Sequence, residues 1–241
     1  YHLDILEESF IQDIIKPSVL MSSHTFVMVM HHHLTSQVFQ HLNHNKVLIE
    51  GCAESGIIGF TGDGLNGDIM INATKNIKEN NGLGVPTVKP WDKETCFKKL
   101  DMAKQSGALA IAMDIDAAGL PFLQNQIPPA GRKSVLELKE IIQYAEVPFI
   151  IKGVLSVNGA LKAVEAGAKA IVVSNHGGRV LDDCASTAAV LKNIAEAVKG
   201  KAMVLVDGGI RCGGDIFKAL ALGADAVLIA RPYVNAIYGA D

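Results

Sequence analysis

The residues of this chain that could do chemistry gather in its second half. The densest group reads Asp207-Gly-Gly-Ile-Arg211, continues as Cys-Gly-Gly-Asp over 212–215, and closes with Ala230-Arg231-Pro232. Gly208 and Gly209 free backbone amides to approach a ligand closely. Gly213 and Gly214 open a helical stretch whose N-terminus favours an anion, and two arginines add fixed positive charge. The group describes a grip for a phosphate, with Asp207, Gly208, Gly209, Arg211, Ala230 and Arg231 as its residues. A plain tight turn would explain the glycines. It would not explain two arginines after consecutive apolar runs.

The second group is Ser174-Asn-His-Gly-Gly-Arg179. Histidine titrates near neutral pH and serves as a general base. The glycines, Gly178 among them, let the loop turn so that Arg179 points into the same space, where its two-pronged donor face suits a carboxylate or phosphate. Lys152 ends the run FIIK. At that depth a lysine needs an anionic partner or a depressed pKa, and a Schiff-base role competes. Asp114 follows IAM and could orient a protonated His176; a structural pairing with a neighbouring lysine is the alternative. Thr61, Asp63, Lys89 and Asp116 also end or follow apolar runs. A lone buried charge there would be costly, so the whole set reads as an active site. His31, His32 and His33 cannot all face one ion, and no second cluster has zinc spacing, so no metal is expected.

One recurring phrase supplies the frame. A helical stretch ends at a glycine (Gly56, Gly107, Gly167, Gly223) and an apolar strand follows at once. Glycine just past a helix is the expected left-handed cap, and continuous apolar runs suit parallel strands buried on both faces. With VPTVKP, PFIIKGV and MVLVDGG between these units, and TFVMVM (25–30) as the first, eight strands start near 25, 57, 85, 108, 148, 169, 203 and 226. Helical patterns separate them. The expectation is one α/β domain over 1–241, a (β/α)8 TIM barrel, with an open doubly wound sheet as the competing arrangement. Barrels build active sites at the C-terminal strand ends and hold phosphate after strands seven and eight. That is where the charged residues fall. After Pro232 nine residues remain, fewer than a usual closing helix, so the last helix is expected to be incomplete.

Bulk properties exclude other classes. The chain has 241 residues, a net charge of -3 and one Trp, which leaves no basic, aromatic surface for nucleic acid. Cys52, Cys96, Cys184 and Cys212 form no C-x-x-C pair and read as free thiols of a reducing compartment. No apolar run reaches the ~18 residues of a membrane helix, and the opening YHLDILEESF is acidic where a signal peptide would be basic. A cytoplasmic protein without membrane partners is expected. The first residue is Tyr, so the chain is expected to be incomplete at its N-terminus.

SNHGGRVLD, DGGIRCGGDIFKALALGADAVLIARP and IIKG together resemble the FMN-dependent α-hydroxy acid dehydrogenases, the group of glycolate oxidase, lactate oxidase and flavocytochrome b2. The resemblance is clear over about 145–241, fainter back to about 47, and absent from 1–46. It implies FMN at the barrel mouth and a small 2-hydroxy acid oxidised to the 2-oxo acid, in a protein that can be a homo-oligomer. It gives Lys152 a place beside the flavin, His176 the role of base, Arg179 that of carboxylate binder, and Asp114 that of support for the histidine. Asp207, Gly209, Arg211 and Arg231 would hold the phosphate, with Thr61, Lys89, Ser174, Gly178, Gly208 and Ala230 completing the cofactor surface. The chain departs from the family pattern near the substrate. Pro86-Thr-Val88 replaces a Gln-x-Tyr, and Ala112 stands for a threonine in MDIDAAGLP. Pro121 lies where a second arginine is expected, the loop to Ser134 is short, and Ala230 replaces a glycine. Two other functions compete: another phosphate barrel, such as a type 2 isopentenyl diphosphate isomerase or an IMP dehydrogenase relative using Cys184, and a flavin-binding barrel without turnover.

Overall fold

The computed structural model describes residues 26–30, 38–123, 126–127 and 129–238. The His31–His33 triplet lies outside them. Eight parallel strands follow one another around a closed barrel: β1 (Phe26–Met30), β2 (Ile58–Thr61), β3 (Gly84–Val88), β4 (Ile111–Asp114), β5 (Phe149–Val154), β6 (Ala170–Val173), β7 (Met203–Val206) and β8 (Ala226–Ile229). Closure is made by β1, which pairs with β2 on one side and places Val27 opposite Val227 of β8 on the other. Each strand begins within three residues of its expected start. The continuous apolar runs are buried on both faces, as their composition requires.

The two faces separate by parity. Phe60, Val85, Ala110, Ala112, Ile150, Ala170, Val172, Leu205, Ala226 and Leu228 fill the barrel interior as one cluster. Their neighbours in sequence, including Ile111, Met113, Phe149, Ile151, Ile171 and Val173, pack outward against Leu100, Leu138, Ile141, Leu191 and Ile194 of the helices. Burying each such side chain stabilises the fold by about 1.5–3 kcal/mol.

Helices α1 (Val38–Glu54), α2 (Gly67–Glu79), α3 (Lys93–Gln105), α4 (Val135–Ala145), α5 (Val157–Ala166), α6 (Thr187–Val198), α7 (Gly213–Ala221) and α8 (Arg231–Tyr238) cover the strands. Polar caps start them: Asp92 accepts from Thr95 N, Ser156 from Gly159 N, and Ser134 exchanges bonds with Glu137 in a capping box. All four hinge glycines have the positive φ expected of a left-handed cap. After β8 the chain turns at once into the eight-residue α8, whose first residue is Arg231. Among the described residues, no helix is long and apolar enough to cross a membrane.

Candidate active site

The parity that fills the barrel interior also sends a charged layer to its mouth. Asp114 stands opposite Lys152, while Val88 stands opposite Met113, which brings Lys89 beside Asp114. Residues in register on neighbouring strands share a face, so these three close the interior above Ala112 and Ile150. Lys89 Nζ lies 3.2 Å from Asp114 Oδ2, and Lys152 Nζ lies 3.8 Å from Asp207 Oδ2. Lys152 is only 2% exposed. Buried charges persist when paired, and the Lys89–Asp114 and Lys152–Asp207 pairs meet that condition. Burial alone would lower the Lys152 pKa, but Asp207, Asp116 and Asp114 outweigh it and hold the ammonium charged above its usual range.

His176 opens a one-turn 3-10 helix, His176–Gly178, with φ at +54. A non-glycine residue held there stores strain of about 1–3 kcal/mol, a feature that concentrates at functional sites. Ser174 Oγ accepts from His176 N at 3.1 Å and helps to fix the turn. The ring is gripped from the far side: Nδ1 lies 3.1 Å from Asp116 Oδ1, whereas Nε2 is 4.0 Å from Asp114 Oδ2. The carboxylate hydrogen-bonded to the histidine is therefore Asp116, and the orienting role expected of Asp114 moves to it. The reason is local. Asp114 is already held by Lys89, and Asp116, two residues on in the 3-10 turn Ile115–Gly119, reaches the imidazole. Burial raises the Asp116 carboxyl, but the His176 bond and the charge of Lys152 outweigh it and hold its pKa below the ordinary carboxylate value.

Gly153 keeps Asp116 in place. The β5–β6 register shifts between Lys152 and Val154, and Gly153 adopts φ +97 in that irregularity. A Cβ there would come 2.4 Å from Asp116 Cγ. The same local twist thus carries Lys152 into the mouth and leaves room for the carboxylate behind His176.

At the β7 and β8 ends the mouth is lined by Gly208, Gly209, Ile210, Arg211, Ala230, Arg231 and Pro232. Thr187 Oγ1 donates to Asp207 O at 2.7 Å and would stand 3.0 Å from a Cβ at Gly208, so this turn admits no side chain without a shift. Two helix starts stand at this end of the barrel. At α7 the amides of Arg211 and Cys212, just ahead of the helix, donate to Asp215 Oδ2 at 3.0 and 3.2 Å, which fixes the turn that carries Arg211. At α8, Ala230, Arg231 and Pro232 line the mouth, and the partial positive charge of that N-terminus adds to Arg231.

The opposite rim is organised by Asp63. Its carboxylate accepts from Gly64 N, Lys89 N, Trp91 Nε1 and Lys99 Nζ, at 2.7, 3.2, 2.6 and 2.6 Å. It is thereby satisfied and acts as the bolt between the β2 and β3 ends. The cavity opens to solvent at the barrel mouth. Five cationic side chains (Lys89, Lys152, Arg179, Arg211, Arg231) face three carboxylates (Asp63, Asp114, Asp207) in its lining, an excess that favours anionic ligands. The Arg179 guanidinium stands 5.8 Å over the Phe122 ring.

Of the residues expected from sequence, Thr61, Lys89, Asp114, Lys152, His176, Arg179, Asp207, Gly208, Gly209, Arg211, Ala230 and Arg231 meet at this cavity. Ser174 and Gly178 are not in its lining. Ser174 is fully buried beneath His176, and Gly178 is exposed on the outer side of the turn. Ala112, expected near the ligand, lies one layer down in the apolar interior. Sequence reasoning named Asp116 only within the charged set and gave Thr87 and Gly153 no role. The signal for Thr87 was strand parity, since it lies two residues before Lys89.

The model of the FMN-dependent dehydrogenase family matches residues 38–241. The chain belongs to that family. A peroxisomal (S)-2-hydroxyacid oxidase of Arabidopsis thaliana is 56% identical over 89 residues, 37% of this chain and 24% of the relative. An L-lactate oxidase of a Nostoc species is 55% identical over 111 residues, 46% and 30% of the two chains. A mandelate oxidase variant solved with (S)-mandelic acid superposes with a TM-score of 0.74 at 27% identity, over 88% of this chain and 67% of that one. The stretches matched in these curated relatives thus span less than a third of each relative's length.

The residues present fit the family's FMN. Thr61 Oγ1, Thr87 Oγ1 and Asp207 Oδ1 are buried and lack a hydrogen-bond partner among the described residues, although all three residues line the cavity. Each such atom costs about 1–3 kcal/mol when left unmet, so the mouth is built to receive a ligand rich in donors and acceptors. Arg211, Arg231 and the start of α8 would hold its phosphate. Lys152 supplies a fixed positive charge for the flavin ring.

Proposed function

We propose that this chain is the FMN-bearing catalytic barrel of an oxidoreductase that converts a small 2-hydroxy acid to the 2-oxo acid. The observation that carries this reading is His176 backed by Asp116, facing the cavity that also holds the charged Lys152 and the Arg211–Arg231 grip. Bound FMN would supply the acceptor for the two electrons and the second proton that the acid loses. Arg179 takes the substrate carboxylate through paired donors, turning the carbinol carbon toward His176. Nε2 of His176 receives the proton leaving that carbinol group, and the positive charge that develops on the imidazole is met at Nδ1 by Asp116. Asp116 is held ready by its low pKa, since it must remain ionised to do this. Lys152, kept charged by three carboxylates, offsets negative charge that accumulates beside it.

Incubating FMN-loaded protein with a panel of 2-hydroxy acids under air or with an artificial electron acceptor, and trapping the 2-oxo acid as its hydrazone, tests the reaction. Stoichiometric 2-oxo acid from at least one member is expected. Protein that binds FMN yet gives no 2-oxo acid from any of them would overturn the reading.

A further inference from the structure

The substrate side of the cavity holds a buried ion pair that the proposed reaction does not use. Lys89 and Asp114 meet at 3.2 Å with side chains 6% and 9% exposed. Lys89 satisfies Asp114 Oδ2, but Asp114 Oδ1 is buried without a hydrogen-bond partner among the described residues. Both residues line the cavity, and Asp114 Oδ2 stands 4.0 Å from His176 Nε2, the atom that meets the carbinol group. A group attached to the reacting carbon therefore lies against this pair.

Resting on the proposed function, we infer that Lys89 and Asp114 select 2-hydroxy acids whose C3 carries a hydroxyl, the polyhydroxy carboxylates, over those with an alkyl or aryl side chain. A C3 hydroxyl donates to Asp114 Oδ1 and can accept from Lys89, which supplies the partner the carboxylate lacks. A methyl or phenyl group supplies neither. It seals the pair from water and leaves the orphan oxygen in place, which is the costly case for a buried charge. Discrimination of this kind is larger than that of an apolar pocket for one methylene more or less, because an unmet polar group is left behind. Lys152, Asp207 and Asp116 do not serve this role. Asp207 sits with Lys152 on the β5–β7 side, and Asp116 is outside the cavity lining with its Oδ1 on His176 Nδ1, whereas Asp114 faces His176 Nε2.

The test uses FMN-loaded protein and two measurements. Anaerobic flavin bleaching compares glycerate with lactate and 2-hydroxybutyrate. Shifts of the flavin visible bands compare binding of the unreactive pair 3-hydroxypropionate and propionate. The hydroxylated member is expected to win in both by about tenfold to a hundredfold, the range of a hydrogen bond to a charged group. The double variant Lys89→Met/Asp114→Val removes both charges together and avoids stranding either one. It should abolish or invert both ratios. Equal or reversed preference in the wild-type protein, or ratios unmoved in the double variant, would overturn the assignment. If no acid bleaches the flavin, the proposed reaction fails, while the binding ratio of the unreactive pair still decides the role of Lys89 and Asp114.

Discussion

The two rims of the cavity are built on opposite plans. The β5–β8 rim concentrates strained or permissive backbone at His176, Gly208 and Gly209, and carries Lys152, Arg179, Arg211 and Arg231 toward open space. The β2–β4 rim satisfies itself. Asp63 collects four donors and Lys89 closes on Asp114, which leaves one carboxylate oxygen unmet there besides the threonine hydroxyls. One rim is shaped to receive a cofactor and move a proton, the other to sort what comes beside it. The departures seen in the sequence, at Val88 and around Pro121, fall on or near the self-satisfied rim.

Substitutions can break this contrast. His176→Ala should slow substrate-driven flavin reduction by about a thousandfold, within the span of a lost general base, with FMN still bound. Loss of FMN instead would merge the two roles of the β5–β8 rim. Asp63→Ala strands Lys99 and Trp91 and should cost about 3 kcal/mol in denaturant unfolding, as removal of one partner from a buried network does. An unchanged midpoint would show that the β2–β4 rim does not depend on its bolt. Arg231→Met should weaken FMN binding by about a hundredfold, measured by quenching of Trp91, the sole tryptophan. Gly153→Ala should lower the reduction rate by roughly tenfold while FMN affinity holds, because the new Cβ displaces Asp116. Added to Asp116→Ala it should cost little more, since both changes remove one contact; full additivity would separate them. The smallest effect concerns pH. The folded pKa of Lys152 lies above its unfolded value, so its stabilising contribution is complete below about pH 10 and is lost only as pH rises through the higher folded value. Thermal melts of Lys152→Met should lack that alkaline component.

Strand order, and the meeting of Asp207, Arg211 and Arg231 at one cavity, were legible because each rests on one local rule. A glycine-ended helix followed by an apolar run marks a βα unit, and DGGIR with ARP marks a loop built for an anion. The histidine's partner was not legible in that way. Asp114 ends β4 and Asp116 follows two residues on in the 3-10 turn, so in sequence both are acids at the same strand end. What assigns them is the competition of Lys89 from the neighbouring strand and the twist at Gly153, and neither can be seen without the register. Ala112 was placed at the ligand because its depth in the barrel depends on where β4 begins, one turn of alternation from Asp114.

The central claim is that His176, backed by Asp116, takes a proton from a 2-hydroxy acid held beside FMN. Stopped-flow mixing of FMN-loaded protein with glycerate and lactate in the absence of oxygen tests it most directly. Bleaching of the flavin bands with at least one acid, abolished in His176→Ala and slowed in Asp116→Asn, is the predicted result. Bleaching that proceeds at the wild-type rate without the histidine would contradict the account.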